Sequence, residues 1–344
     1  MQVLIRCDAS ESIGGGHAMR CLALGQELQR GGNDVSFATR TGADMIGDRA
    51  TSYGLALHTL SEADPSADLE ATEDLAQQLG ADWVLVDGAA LVDNLAAPLS
   101  HRWQVLALDD RGFAAPPGSH FHVLNTNVWA TPADYSGFAP RDLLLGRDFV
   151  LLREEFHDTL PIAGQPTIAR LLVLAGASDP TGFALRLLEG LEGKFSSNLA
   201  IDVVVGPMNR RRTELENLAA RAPQICLHFD PPDMAALMRQ ADLAISASGG
   251  TLWELYALGI PTIAVVIAEN QRRNAVWLSE KGFPAVVADD AHQAANSALQ
   301  LADSASLRQN LATREQQLID SRGVARVVDF ISAATRLGKK KVAV

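Results

Sequence analysis

The sequence contains few cysteines, and they lie far apart. Cys7, Cys21 and Cys226 are the three cysteines of the chain, and they form no CxxC pair. This spacing provides neither a disulfide framework nor a cysteine-based zinc module. Isolated cysteines fit a reducing compartment, so we expect the protein to work in the cytoplasm.

Long apolar runs and excess positive charge are also missing. The chain has no apolar run of about 18 residues, the length that a transmembrane helix needs. Met1 leads directly into a strand-like segment, without the basic, apolar and cleavage regions of a signal peptide. The formal net charge is −12, which argues against a general nucleic-acid-binding surface. We therefore expect no nucleic-acid partner and no stable membrane association.

The sequence does contain the alternating strand and helix patterns of an α/β protein. The chain has 344 residues, more than one ordinary hydrophobic core holds. Of these residues 47% are hydrophobic and 20% are charged, as in a globular protein. Short β-type runs alternate with helical periodicity, as in doubly wound domains with parallel sheets. We predict two Rossmann-like domains, 1–160 and 161–344, facing each other across a cleft, with the last helix packing back on the first domain. The predicted strands are 3–7, 34–39, 56–60, 83–86, 105–108 and 121–124, then 171–175, 201–205, 225–228, 243–246, 262–266 and 284–287.

The first motif is the strand-to-helix segment IRCDASESIGGGHAMRCLALG, residues 5–25. Its glycines, Gly14 to Gly16, allow positive φ and close approach of a ligand to main-chain N–H groups. A helix N-terminus at this point favours an anion such as phosphate. His17 would be biased towards the neutral imidazole by that helix end and could act as a base. Neither G-x-x-x-x-G-K-[ST] nor G-x-G-x-x-G is present, so ATP and NAD are disfavoured.

A second strand-glycine-helix motif spans Ser246 to Glu254, with the sequence SASGGTLWE. One interpretation is a capping box, in which Thr251 and Glu254 cap the helix. The other is a diphosphate site built from the amides of Gly249, Gly250 and Thr251, with Glu254 accepting the hydroxyls of a ribose. Glu254 cannot easily do both.

Three further polar segments follow predicted strands. Asn270 and Gln271, in the segment AENQ, either contact a ligand or cap a helix. Ser178 or Asp179 could cap the helix that starts near residue 181. Asp109-Asp110 lacks the partners of a metal site, and the histidines other than His17 show neither metal nor triad spacing. We therefore expect no metal ion and no cofactor.

Several segments together resemble the UDP-sugar hydrolase family of pseudaminic acid biosynthesis, which releases UDP from UDP-2,4-diacetamido-2,4,6-trideoxy-β-L-altropyranose. The matching segments span nearly the whole chain in the family's order: IRCDASESIGGGHAMRCLALG, WVLVDGA, LLLGRDFVLLREEF, GASDP and SASGGTLWELYALGIPTIAVVIAENQ. The resemblance implies a GT-B-like pair of Rossmann-like domains and metal-independent cleavage of the anomeric C–O bond with inversion.

The resemblance also implies roles for individual residues. His17 would activate the attacking water, and Asp8, on the same loop, is our candidate for orienting it. The expected substrate contacts are Gly15, Gly16, Arg20, Ser248, Gly249, Gly250, Thr251, Glu254, Asn270 and Gln271. One departure concerns the sugar itself: Ala89 stands where the family commonly has a tyrosine, which leaves the exact sugar open.

Two other functions remain open at this point. A GT-B glycosyltransferase would replace water by an acceptor hydroxyl and needs an acceptor groove, often with a basic or apolar membrane-facing patch. The first predicted helix is an ordinary amphipathic core helix, which favours hydrolysis. The third possibility is a non-catalytic nucleotide-sugar-binding protein, against which the presence of His17 argues.

Overall fold

The computed structural model describes residues 1–10, 15–61, 65–157, 167–194, 199–231, 233–286 and 290–342. The chain forms two compact units. Unit 1 consists of Met1–Glu154 together with Arg322–Val344, and unit 2 of Glu155–Ser321. The boundary predicted between residues 160 and 161 falls within 158–166, outside the described residues, and stays a prediction.

Unit 1 is built on a parallel sheet, which has seven strands in the described part of the chain. The strands are β1 (Gln2–Cys7), β2 (Asp34–Thr39), β3 (Ala56–Thr59), β4 (Trp83–Asp87), β5 (Gln104–Leu108), β6 (His122–Asn125) and β7 (Leu143–Leu145). Their order across the sheet is β3-β2-β1-β4-β5-β6-β7. The helices between them are α1 (Gly16–Arg30), α2 (Ala43–Ser52), α3 (Pro65–Leu79), α4 (Ala89–Leu91) and α5 (Ala97–Leu99).

Unit 2 repeats this plan with a six-stranded parallel sheet in its described part. The strands are β8 (Arg170–Leu174), β9 (Ala200–Val205), β10 (Ile225–Phe229), β11 (Leu243–Ala247), β12 (Thr262–Val265) and β13 (Ala285–Val286). Their order is β10-β9-β8-β11-β12-β13. The helices are α6 (Phe183–Leu191), α7 (Arg212–Ala219), α8 (Met234–Met238), α9 (Gly250–Leu258), α10 (Arg272–Glu280), α11 (Ala291–Ala302) and α12 (Ala305–Leu318).

The central strands are apolar on both faces, as parallel strands covered by helices must be. In β4, WVLVD, every residue is buried. The last helix, α13 (Gly323–Val342), packs with Val324, Val327 and Ile331 in the core of unit 1 beside α1. The indole N–H of Trp83 also donates to Thr335 Oγ1 at 2.8 Å. None of the helices in the described ranges is long and apolar enough to cross a membrane.

Each sheet has one point at which the direction of strand addition reverses. In unit 1 this point lies between β1 and β4, and in unit 2 it lies between β8 and β11. The loops that leave the carboxyl ends of these strand pairs separate there and open a crevice, the usual ligand site of open α/β sheets. The motifs around His17 and around Gly249 both follow strands at such a point.

Candidate active site

His17 lies at the start of α1, next to Gly16. The N-cap, Gly15, has φ −88°, and no side chain of the described residues caps this helix end. Gly15 and Gly16 do not use the positive φ that glycine allows, whereas Gly14 lies outside the described residues. A Cβ on Gly16 would meet no heavy atom of the described residues within 4 Å, so these residues do not cover the backbone at this helix start.

Asp87 is the residue that orients His17. It ends β4, and its register partner on β1 is Cys7, so the chain that leaves β1 for α1 passes close to it. His17 Nδ1 lies 2.7 Å from Asp87 Oδ1, and the carboxylate is fully buried. Arg20 Nη2 also lies 3.0 Å from Nδ1, but the carboxylate oxygen is the nearer neighbour and can only accept, so we assign the proton to Nδ1. Nε2 is then left with the lone pair, which makes it the basic atom of this imidazole.

Arg20, one turn further along α1, holds the carboxylate in place. Its Nε lies 2.7 Å from Asp87 Oδ2 and its Nη2 lies 2.6 Å from Asp87 Oδ1, a bidentate pair. Its Nη1 donates to Asp110 Oδ1 at 2.9 Å, and that oxygen also accepts from Asn127 Nδ2 at 2.8 Å. We predicted Arg20 as a substrate contact, but the structure directs its guanidinium to two carboxylates beside His17.

The charges in this cluster shift its pKa values in opposite directions. The Asp87 carboxylate raises the pKa of His17 above its usual range, against burial and Arg20, which lower it. Burial would raise the pKa of Asp87, but Arg20 and His17 hold it well below its usual value. The expectation that the helix end biases His17 towards the neutral form is therefore wrong, because a carboxylate at 2.7 Å outweighs a helix dipole.

Asp8, our candidate for orienting His17, is engaged elsewhere. Arg6 donates to both of its oxygens, at 2.7 and 2.9 Å, and the amides of Arg40 and Thr41 donate to Oδ1 at 2.7 and 3.2 Å. Arg6 is itself fully buried and also pairs with Asp68. Asp8 therefore joins the β1 end to the loop after β2, and the orienting role belongs to Asp87.

Ala89, at the position of the family's tyrosine, begins α4 directly after Gly88. Its side chain is exposed, and its carbonyl accepts from Arg111 Nη2 at 3.4 Å. This residue follows Asp87 by two positions, so the exposed methyl group lies on the loop that leaves the same strand end.

The second motif forms a helix N-terminus at the switch point of unit 2. Ser248 is fully buried, and its N–H and Oγ both donate to Val265 O, at 2.8 and 2.9 Å. Gly249 is the N-cap of α9, and no described side chain caps this end. A Cβ on Gly250 would meet no atom within 4 Å. The predicted capping box of Thr251 and Glu254 is therefore not formed, because the helix starts one residue before Thr251.

The AENQ segment lies beside this loop. Gln271 Oε1 accepts from Ile267 N at 3.0 Å, and a Cβ on Gly249 would lie 3.9 Å from Gln271 Nε2. Asn270 is exposed within the short 3-10 turn Glu269–Gln271. It does not cap α10, whose N-cap is Gln271, so the helix-cap interpretation is wrong. The structure thus brings the two predicted ligand motifs of unit 2 to the same sheet edge.

Asp179 caps the N-terminus of another helix in unit 2, α6. Its carboxylate accepts from Phe183 N at 2.7 Å and from Ala184 N at 3.0 Å, and the residue is buried with φ 42°. The first two amides of α6 therefore already donate to a carboxylate of the protein. Of the two helix starts at the switch point of unit 2, α9 is the one without a side-chain cap.

Sequence reasoning missed Asp87 and Asn127 and gave Asp110 only a structural or supporting role. Asp87 had one available signal, since it ends a strand that neighbours β1 in a doubly wound sheet. Asp110 and Asn127 follow β5 and β6, and only the tertiary fold directs them towards Arg20. These groups complete a chain of polar contacts from His17 across four strand ends.

Comparisons with known proteins agree with this architecture. Residues 187–328 match the model of the glycosyltransferase family 28 C-terminal domain. UDP-2,4-diacetamido-2,4,6-trideoxy-beta-L-altropyranose hydrolase of Campylobacter jejuni is 24% identical over 287 residues, which cover 82% of this chain and 98% of that protein. An uncharacterised protein of Methanocaldococcus jannaschii is 26% identical over 286 residues, 79% of this chain but only 57% of its own length.

Among solved structures, MurG of Acinetobacter baumannii superposes with a TM-score of 0.64 at 19% identity, covering 96% of this chain and 99% of that one. At this identity the likeness concerns the fold alone. The two parallel-sheet units of this chain therefore form a GT-B-like fold, and the resemblance to the UDP-sugar hydrolase family of pseudaminic acid biosynthesis is confirmed.

Proposed function

We propose that this protein is a hydrolase of a UDP-activated diacetamido-trideoxy sugar in pseudaminic acid biosynthesis. It cleaves the anomeric C–O bond and releases UDP and the free sugar, without a metal ion. The observation that carries this proposal is the His17–Asp87 pair at 2.7 Å, at the N-terminus of α1. The C. jejuni relative, matched over 98% of its length, supports the choice of substrate.

The chemistry assigns one atom to each task. His17 Nε2 accepts a proton from water while Nδ1–H donates to Asp87, which stabilises the imidazolium that forms. The oxygen of that water forms a bond to the anomeric carbon, and the bond from this carbon to the oxygen of the β-phosphate breaks on the opposite face. The bonding electrons leave with UDP, and His17 later releases its proton to solvent. The sugar emerges with inverted configuration.

We assign the diphosphate to the N-terminus of α9. The amides of Gly249, Gly250 and Thr251 and the helix dipole favour an anion there, and the uncapped end leaves them accessible. Fixed amide dipoles stabilise the charge that develops on departing UDP, the contribution that a metal ion makes in other enzymes. Glu254, on the first turns of α9, would accept the ribose hydroxyls, and Asn270 would contact the sugar.

A direct assay tests this proposal. The full chain is incubated with the UDP-linked diacetamido-trideoxy-altrose donor in buffer containing EDTA, and UDP and free sugar are separated by chromatography. We expect equal amounts of both products without any acceptor. Parallel reactions contain other UDP-linked deoxyamino sugars, and one of these will be cleaved faster if Ala89 selects a different sugar. Absence of UDP release from every donor would contradict the proposal.

Glycosyl transfer is the second candidate, and the match of residues 187–328 to a glycosyltransferase C-terminal domain favours it. In that case His17 would deprotonate an acceptor hydroxyl rather than water. The same assay separates the two functions, because a transferase releases UDP only when an acceptor is supplied. A non-catalytic binding protein would release none, and its UDP-sugar would be recovered intact.

A further inference from the structure

A cluster of three different metal-binding side chains lies on unit 2, on the sheet edge opposite to β13. Asp202 is on β9, and Cys226 and His228 are on the neighbouring edge strand β10. One donor atom from each lies within 4.8 Å of the other two. In sheet order the cluster is separated by β8 from the switch point, so this inference does not rest on the proposed function.

Strand geometry explains why these side chains meet. Cys226 is the register partner of Asp202, so both side chains project from the same face of the parallel pair. His228 lies two residues after Cys226 and therefore shares its face. Ile201 and Val203 point to the opposite face, into the core of unit 2. The register of two strands, not spacing along the chain, creates the cluster.

The cluster is buried at Asp202 and reaches solvent at Cys226. Asp202 is buried, with a side chain 5% exposed, while the His228 side chain is 25% exposed and Cys226 is exposed. Asp202 Oδ1 lies 2.7 Å from His228 Nε2, and Arg170 Nε lies 3.7 Å from the other oxygen, Oδ2. Arg170 thus lies beside one carboxylate oxygen, while the other oxygen faces the imidazole.

We propose that Asp202, Cys226 and His228 bind a divalent cation of the zinc class. Nitrogen, sulfur and oxygen donors together suit Zn²⁺ or Co²⁺, whereas Mg²⁺ and Ca²⁺ require oxygen donors. In a tetrahedral zinc site the donors lie roughly 3.5 Å apart, so side-chain rotations of about 1 Å bring these three into place. On binding, the thiol of Cys226 releases its proton, and water occupies the fourth position.

The ion would fasten the edge strand β10 to β9. A ligand that binds only the folded state stabilises it by mass action, so unit 2 should unfold at a higher temperature when the ion is present. Sequence analysis found no metal spacing around His228, because Asp202 is 26 residues away along the chain. Only the register of the two strands shows the donor set.

Cobalt provides the probe for this site. The full chain is stripped with a chelator, dialysed and titrated with CoCl₂ alone. We expect a thiolate-to-cobalt charge-transfer band in the near ultraviolet that reaches its maximum at one ion per chain. ZnCl₂ should abolish the band and MgCl₂ should leave it. No band with CoCl₂ in excess would overturn the proposal.

Three variants assign the band to the cluster. Cys226→Ser should remove it, and His228→Gln should weaken cobalt binding by at least about tenfold. His101→Gln alters an exposed histidine of unit 1 and serves as the matched control, which should bind as the parent does. Circular dichroism checks that each variant is folded, and Cys226→Ser changes only an exposed side chain. A band that persists in Cys226→Ser would also overturn the proposal, since another thiol would then be its source.

Discussion

The carboxyl edges of the two sheets present different polar groups at equivalent positions. In unit 1 the edge carries ionisable side chains, with His17, Asp87, Arg20 and Asp110 joined by bonds of 2.6 to 2.9 Å. In unit 2 it carries the uncapped amides of α9 beside the buried Ser248. Titratable groups can move a proton, but their charge depends on pH. Amide dipoles move no proton and keep their polarity at every pH. Under the proposed function, the first edge is suited to catalysis and the second to binding the diphosphate.

The largest expected effect separates these two roles. His17→Ala removes the proposed base and should lower kcat by about 10²–10⁴-fold, the usual contribution of general base catalysis. UDP affinity should stay within about twofold of the parent, because the assigned diphosphate site lies on α9. Steady-state kinetics and calorimetric titration with UDP measure the two quantities. Full activity in this variant would mean that His17 is not the base.

Asp87→Asn tests the role of the first edge through the pH dependence of activity. An amide no longer stabilises the imidazolium or selects the Nδ1–H tautomer, so kcat should fall by about 10–10³-fold. A base must be neutral, so activity of the parent should rise with pH as His17 loses its proton, at a pKa above its usual 6.5. Without the carboxylate that pKa falls, and the rising limb should move to lower pH. An unchanged limb would show that a different group titrates.

The same pair predicts how stability depends on pH. Because the folded-state pKa of His17 is raised, its charge interaction with Asp87 stabilises the fold fully below the unfolded-state value of 6.5. That contribution is lost as the pH rises through the higher folded-state pKa. Urea unfolding of the parent and of His17→Ala across this interval should show a difference between the two that shrinks with increasing pH. A difference that grows with pH would contradict the assigned direction.

Substitutions of Gly250 and Gly16 test directly whether one edge binds the diphosphate and the other carries out catalysis. A side chain at Gly250 would project into open space, so Gly250→Val should fold normally but obstruct the amides of α9. We expect UDP affinity to fall by about 10–10²-fold, the value of one lost hydrogen bond to a charged group. Gly16→Val is the matched control, because it adds the same side chain to the equally open start of α1. It should lower turnover and leave UDP binding intact. Equal loss of UDP affinity in both variants would remove the distinction between the edges.

Much of the fold follows from the apolar pattern of the sequence. The strand predicted over 34–39 is β2 as observed, and most other predicted strands differ from the structure by one or two residues at an end. The strand β7 was missed because three residues, LLL, give no periodicity. Helix α11 is hard to recognise from sequence, since four of its five buried positions are alanines, which carry a weak apolar signal.

The candidate site was less predictable, because it depends on which strands are neighbours. His17 and the glycine loops could be found from local sequence, since the residues after a strand and before a helix lie next to each other in the chain. Asp87 could not be paired with His17 in that way, because 70 residues separate them and only the adjacency of β1 and β4 joins them. Nearness along the chain suggested Asp8 instead, whose side chain projects with that of Arg6, two residues before it.

The smallest expected effect concerns α6, the helix whose N-terminus is capped by the Asp179 carboxylate. Asp179→Ala removes two hydrogen bonds to the first amides of α6 and should cost about 1–2 kcal/mol of the free energy of unfolding, as lost helix caps do. Asp179→Asn is the gentler control, because asparagine tolerates the positive φ of this position and still accepts one bond. Urea unfolding measures both variants, and UDP titration shows whether the freed amides of α6 take up a phosphate. If α9 alone is the diphosphate site, UDP affinity stays unchanged while stability falls. A new or stronger UDP site in Asp179→Ala would contradict the assignment to α9 alone. It would mean that any uncapped helix N-terminus at this switch point can bind the diphosphate.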